Sequence, residues 1–171
     1  ILTDKGRFFL SYGDSPYQSF SAVAGNTHLI DFDLLTQMGL LKESDYASVN
    51  FGDDPTSVDY ERIFYARRPI LETAVKNFLA NQSFQADFEN FEKNNRLWLD
   101  DFAEFMAIKE HFGNQALQKW DDKKAVARDP SALEKYRILL AEQIQYFKGT
   151  QYFFFPSVKR VAPKLSCCTE L

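Results

Sequence analysis

Cysteine is almost absent from this chain: the only two in 171 residues are the adjacent Cys167 and Cys168. Neighbouring cysteines seldom bridge each other, and the pair lacks the CxxC spacing of a zinc site. A disulfide framework is therefore excluded, and a reducing cytoplasm is the default location. Glycine (7) and proline (6) are also scarce, which excludes low-complexity or disordered architecture for the bulk of the chain. Two histidines are too few for a metal cluster. No apolar run approaches the roughly 20 residues of a membrane helix. The first ten residues, ILTDKGRFFL, lack both an initiator Met and the basic-then-apolar layout of a signal peptide. Positive charge is not in excess either: 20 basic against 24 acidic residues give a formal charge of −4. That balance argues against a nucleic-acid or anionic-membrane surface, which needs clustered Lys and Arg.

Aromatic residues, by contrast, are abundant: 17 Phe, 8 Tyr and 2 Trp. With 45% hydrophobic and 26% charged residues, the composition is that of one soluble domain long enough to bury one sizeable core. Residues 11–26 read as a loop rich in Ser, Gly and Asn. A short helix is predicted over Asp33 to Met38, stopped by Gly39. After a second loop at 50–57, Ile63, Ala66, Ile70, Ala74 and Phe78 form a helical stripe, which Pro69 should kink or break. Ser83 is the expected N-cap of a third helix. Its stripe is Phe84, Phe88, Phe91, Trp98, Phe102, Phe105 and Phe112, with Gly113 as the stop. A fourth helix starts at Pro130, marked by Asp129 and the Ser131–Glu134 capping-box spacing, and carries Leu133, Tyr136, Leu140, Ile144, Phe147 and Phe154 on one face. No segment reads as a β-strand, and there is no internal repeat. Residues 156–171 lose the periodicity and read as a frayed tail.

Few of these residues form a chemical constellation. GDSPY does not fit the GxSxG nucleophile elbow, because Tyr17 stands at the closing glycine and no strand precedes it. Nothing brings Ser15 near His28 or His111. His111 reads as a helix-end residue beside the C-terminal dipole. Asp100, Asp101 and Glu104 read as a solvated helix face, since general acid/base work would need a pocket. Trp120 reads as a packing anchor. The loop tyrosines differ: Tyr12 and Tyr17, beside Gly13, Ser15 and Pro16, have no periodic face to bury them. Such rings on a Pro-stiffened turn can stack on sugars or peptide side chains, with Asp14, Ser15 and Gln18 able to read hydroxyls.

The run YGDSPYQSFSAVAGN (12–26) resembles the signature loop of the amylomaltases, the 4-α-glucanotransferases or disproportionating enzymes. The resemblance continues in LIDFDLLTQMGLL (29–41), VDYERIF (58–64), WLDDFAEFMAIKEHFG (98–113) and QYFFF (151–155). It implies a (β/α)₈ barrel with helical insertions, of which this chain would hold part, so that its own fold class is mainly α with the barrel incomplete. It implies transfer of α-1,4-glucan segments between maltodextrins with retention, using a carboxylate nucleophile and a carboxyl acid/base about 5–5.5 Å apart. Those carboxylates would lie on later strands, so no catalytic residue is assigned within this chain. No metal or organic cofactor is implied. The expected partners are α-1,4-glucans, with no nucleic acid and no membrane. By the same resemblance Tyr17 meets the sugar near the bond being broken, Asp14 and Ser15 support that subsite, and Tyr12 adds an aromatic contact.

The expected organisation is a loop-rich segment at 1–57, a helical insertion region at 58–155 and a divergent tail at 156–171. Four departures from the family pattern stand out. ILTDKGRFFL replaces a Leu-Pro-x-Gly-Pro-Thr-like turn, Thr27 replaces a Pro, and Phe64 stands where a Tyr can occur. PSVKRVAP replaces an Arg-Gln-Trp-like continuation, which a shift of reading frame at residue 156 would explain; genomic DNA tests that. The alternative reading is a non-catalytic helical module that binds protein or oligosaccharide.

Overall fold

The structure, a computed structural model, describes residues 23–53 and 59–161. Among them there is no β-strand, in line with the mainly α expectation. The helices are α1 (Phe32–Gln37), α2 (Tyr60–Ala80), α3 (Gln85–His111), α4 (Lys123–Val126), α5 (Pro130–Leu139) and α6 (Ala141–Val161), joined by single 3₁₀ turns and loops.

The three long helices form the body. Phe78 of α2 meets Phe84 and Phe88 near the start of α3, while Arg68, nearer the start of α2, reaches Glu110 at the end of α3. These two helices are therefore antiparallel. Lys148 of α6 pairs with Glu92 and Asp100, and Tyr152 then meets Phe88 and Phe91, so α6 is antiparallel to α3 and parallel to α2. Gly149 lets α6 approach α2, since a Cβ there would stand 3.1 Å from a Val75 methyl.

Local chemistry accounts for most helix ends. Asp31 caps α1, accepting from the N–H groups of Asp33 (2.9 Å) and Leu34 (3.2 Å). Gly39 follows at φ +73°, the left-handed conformation that suits glycine after a helix. Asp129 caps α5 through the N–H groups of Ser131 and Ala132, with Pro130 in the first turn. Gly113 (φ +66°) and Asn114 (φ +60°) turn the chain out of α3.

Four expectations need correction. The cap before α3 is Asn81, which accepts from the Ser83 N–H and hydroxyl; Ser83 sits inside a 3₁₀ turn that leads into the helix. Of the kink or break expected at Pro69, the break does not occur: α2 runs on through this exposed proline. The single helix expected from Pro130 is two, parted where Leu140 leaves helical backbone (φ −113°, ψ 25°); no local sequence signal marks that break. Periodicity also does not stop at Phe155. The helix continues through Pro156 to Val161, and Ser157 is fully buried.

The aromatic stripe of α3 is core as expected, although its burial shifts along the helix. Phe88 is buried, and Phe84, Phe91, Phe102, Phe105 and Phe112 are half-buried against the core. Toward the C-terminal half the deepest positions are Leu99, Ala103 and Ala107. Their four-residue spacing makes a ridge of mostly small side chains that allows close helix approach. Trp120 is a packing anchor, buried with its ring stacked on Phe105 and Phe112, and its Nε1–H donates to the Gln115 carbonyl at 3.2 Å.

Candidate functional site

The sugar-contacting residues expected from the sequence, Tyr12, Asp14, Ser15 and Tyr17, lie outside the described residues. The segment that follows them, Val23 to Asp31, is described and is tied down along its length. Gly25 is held at both backbone groups by one side chain: its N–H donates to Gln151 Oε1 (2.7 Å), and its carbonyl accepts from Gln151 Nε2 (3.1 Å). A Cβ at Gly25 would fall 2.0 Å from Cδ1 of the Phe154 ring, so only glycine permits this approach to α6. Asn26 Oδ1 accepts from the His28 N–H (2.9 Å) and so caps the turn Thr27–Leu29. Arg67 Nη2 donates to the Ile30 carbonyl. The Asp31 N–H donates to Ser157 Oγ (3.1 Å), whose own hydroxyl donates to the Phe153 carbonyl (2.8 Å).

Beside this segment lies a shallow recess, with room for little more than a water molecule, lined by Thr27, His28, Phe64, Arg67, Arg68 and Tyr146 among others. Its electrostatics follow from burial. Desolvation lowers the His28 pKa, the neighbouring Arg67 charge adds to that, and the ring is held toward its neutral form. Desolvation also lowers the Arg67 pKa to about 10; its guanidinium lies 4.0 Å from the Phe32 ring centre. Tyr146 is pushed up to about 12 by its burial, with Arg68 lying 3.7 Å over its ring. His28 Nδ1 and Arg67 Nε are buried without a hydrogen-bond partner.

The other candidates are structural. Asp101 is an exposed partner of Arg128 (2.9 Å), as a solvated face requires. Asp100 is half-exposed and bonded to Lys148 (2.5 Å). Glu104 corrects the expectation: its side chain is 9% exposed and bonded to Arg137 (2.5 Å), so it belongs to the α3–α5 seam. His111 ends α3, edge-on to Phe112 and Tyr136. Among the described residues no cluster of His, Cys, Asp and Glu could hold a metal ion.

Sequence reasoning missed Gln151, Ser157 and Arg67, and weighed His28 only as a partner for Ser15. Gln151 and Ser157 had a readable signal, since polar residues beside Phe153 and Phe154 on an otherwise apolar helix face need buried partners.

Comparison with known proteins adds the family. Residues 3–166 match the family model described as 4-alpha-glucanotransferase. The chain is 57% identical over 145 residues to a 4-alpha-glucanotransferase of Streptococcus pneumoniae, covering 85% of this chain and 28% of that protein. It is 40% identical over 151 residues to one from Clostridium butyricum, covering 88% and 30%. Its structure matches an amylomaltase from Streptococcus agalactiae solved with acarbose (TM-score 0.84, 55% identity), covering 90% of this chain and 31% of that one. The chain thus spans under a third of the length of these relatives. With a match running through most of its length and relatives more than half identical, this chain belongs to the 4-alpha-glucanotransferase family.

Proposed function

We propose that this chain is the part of a cytoplasmic 4-α-glucanotransferase that carries its glucan-contacting loop and a helical insertion of the (β/α)₈ barrel. The whole enzyme moves α-1,4-glucan segments between maltodextrins with retention. Tyr17 stacks on the sugar near the scissile bond, Asp14 and Ser15 hydrogen-bond at that subsite, and Tyr12 supplies a second ring. The observation that carries this reading is the GDSPYQSF loop, together with a structural match to an acarbose-bound amylomaltase.

Retaining transfer needs two carboxyl groups on either side of the bond, one ionised and one protonated. The family resemblance places the reacting pair in other parts of the enzyme, so that this stretch binds glucan without cleaving it. Among the described residues no helix is long and apolar enough to cross a membrane. Purified chain incubated with maltotriose and resolved by chromatography should yield neither glucose nor longer oligomers. Disproportionation would overturn the assignment of the chemistry to other segments.

A further inference from the structure

We infer that His28 and Arg67 form an acid-released latch on the turn Thr27–Leu29, which stays on α2 while the imidazole is neutral and leaves it once the ring takes up a proton. The segment Val23–Asp31 is held at three points. At two of them the tether is uncharged: Gln151 bonds both backbone groups of Gly25 (2.7 and 3.1 Å), and Ser157 Oγ accepts from the Asp31 N–H (3.1 Å). Between them the tether is a charge, since Arg67 donates through Nη2 to the Ile30 carbonyl. A proton can therefore act on the middle of the segment and leave Gly25 and Asp31 in place.

His28 is the group that takes the proton. Its ring lies edge-on to Phe64 at 6.3 Å, and its Nδ1 is buried without a hydrogen-bond partner, as is Nε of Arg67. Arg67 Nε–H can only donate, whereas a neutral imidazole can carry its proton on Nε2 and leave a lone pair on Nδ1. A second proton turns Nδ1 into a buried donor with no acceptor bonded to it, and sets a positive ring against a positive guanidinium. Among the described residues lining the recess no carboxylate relieves that charge. From α2 come Arg67 and Arg68, and Arg68 is committed to Glu72 (2.6 Å) and to Glu110 of α3 (3.0 Å). From α6 comes Tyr146, uncharged at neutral pH because burial raises its pKa to about 12. Asp31 attracts Arg67, but its Oδ1 is bonded to the N–H groups of Asp33 and Leu34. Burial, with Arg67 adding to it, holds the docked His28 below its ordinary pKa of 6.5. The undocked turn binds the proton first, so docking is complete above about pH 6.5 and weakens as pH falls.

The test is nuclear magnetic resonance of the full chain between about pH 7.5 and about pH 5. The chain has two histidines, and the imidazole signals lost in His28→Gln are those of His28. Side-chain ¹⁵N shifts should place its proton on Nε2 and its titration midpoint below 6.5. Amide exchange, expressed as protection factors, should show the His28, Leu29 and Ile30 amides losing protection by up to about thirtyfold at the acid end. That limit applies when only the undocked ring, with a pKa of about 6.5, binds the proton. The amides of Gly25 and Asp31 should keep their protection, as should those of Ala103 and Ala107 in α3. His28→Gln, which cannot titrate, should abolish the pH dependence, and Arg67→Met should raise the His28 midpoint. An Nδ1–H tautomer, a midpoint at or above 6.5, unchanged protection of residues 28–30, or a loss shared with Gly25, Asp31 or α3 would each overturn the inference. The same fall in His28→Gln would do so as well. If His28→Gln does not fold, His111→Gln assigns the signals, and the wild-type tautomer, midpoint and exchange decide.

Discussion

Replacing Phe78 by Leu measures how far the aromatic abundance of this chain supports its fold. Phe78 is 2% exposed and lies within 5.0–5.4 Å, centre to centre, of Phe84, Phe88, Tyr152 and Phe153. Those rings come from the 3₁₀ turn before α3, from α3 and from α6, so one side chain ties three elements together. Two of the pairs are perpendicular, at 81° to Phe88 and 79° to Phe153. Edge-to-face pairs contribute about 0.5–1.5 kcal/mol each beyond the area they bury. Leu keeps most of the apolar volume and forfeits both pairs, and the change of shape adds up to about 1.5 kcal/mol. The expected loss is about 1–4.5 kcal/mol, which lowers Tm by about 2–18 °C in a domain of this size. Urea unfolding followed by far-ultraviolet circular dichroism reads it directly, with an unchanged slope showing that the unfolded state is the same. Leu97→Ala is the reference, because Leu97 is 98% exposed and should change stability by less than about 0.5 kcal/mol. A Phe78→Leu loss no larger than that reference would refute the claim that the ring cluster holds the helices together.

Arg137→Met strands the buried Glu104 carboxylate and should cost about 1–3 kcal/mol in urea unfolding, most of it recovered in Glu104→Met/Arg137→Met. Two helix caps set the acid limit. The Ala125 N–H and others hold the Asp122 carboxyl below the usual carboxylate range, and the Ser131 hydroxyl and neighbouring N–H groups do the same for Asp129. A lowered folded pKa gives stability that is present above the ordinary carboxylate pKa and is lost as pH falls through the folded value. The urea midpoint should therefore drop below about pH 4, and less steeply in Asp122→Asn/Asp129→Asn, which keeps the cap acceptors without their titration. His28 adds a milder slope: its pKa is below 6.5 when folded, so the unfolded chain binds the proton first and stability declines as pH falls below about 6.5. Replacing His28 by Gln should remove that part of the profile, and an unaltered profile would contradict the burial argument.

The elements that were legible in the sequence were those governed by local chemistry. Asp129 announces a helix start, Gly39 and Gly113 announce ends, and the spacing of Phe84, Phe88 and Phe91 announces a buried face. What escaped depended on partners far along the chain. Glu104 looked solvated because its neighbours Asp100 and Asp101 are exposed; only the packing of α5 on α3 brings Arg137 to it. Pro156 looked like the end of a helix, whereas Ser157 is buried against Phe153 and Asp31 and the helix continues. The break at Leu140 comes from backbone geometry that leaves no mark on residue type. The candidate site divides in the same way. The loop residues Tyr12, Asp14, Ser15 and Tyr17 could be read as a motif, while the contacts that Gln151 and Phe154 make with Gly25 emerge only from the packing of α6.

The central claim is that this chain retains the glucan contact of its family. Calorimetric titration of maltoheptaose into the wild-type chain and into Tyr17→Ala tests it most directly. The account predicts saturable binding to the wild type and its loss on removal of the Tyr17 ring; no binding at all, or equal binding to both, would contradict it.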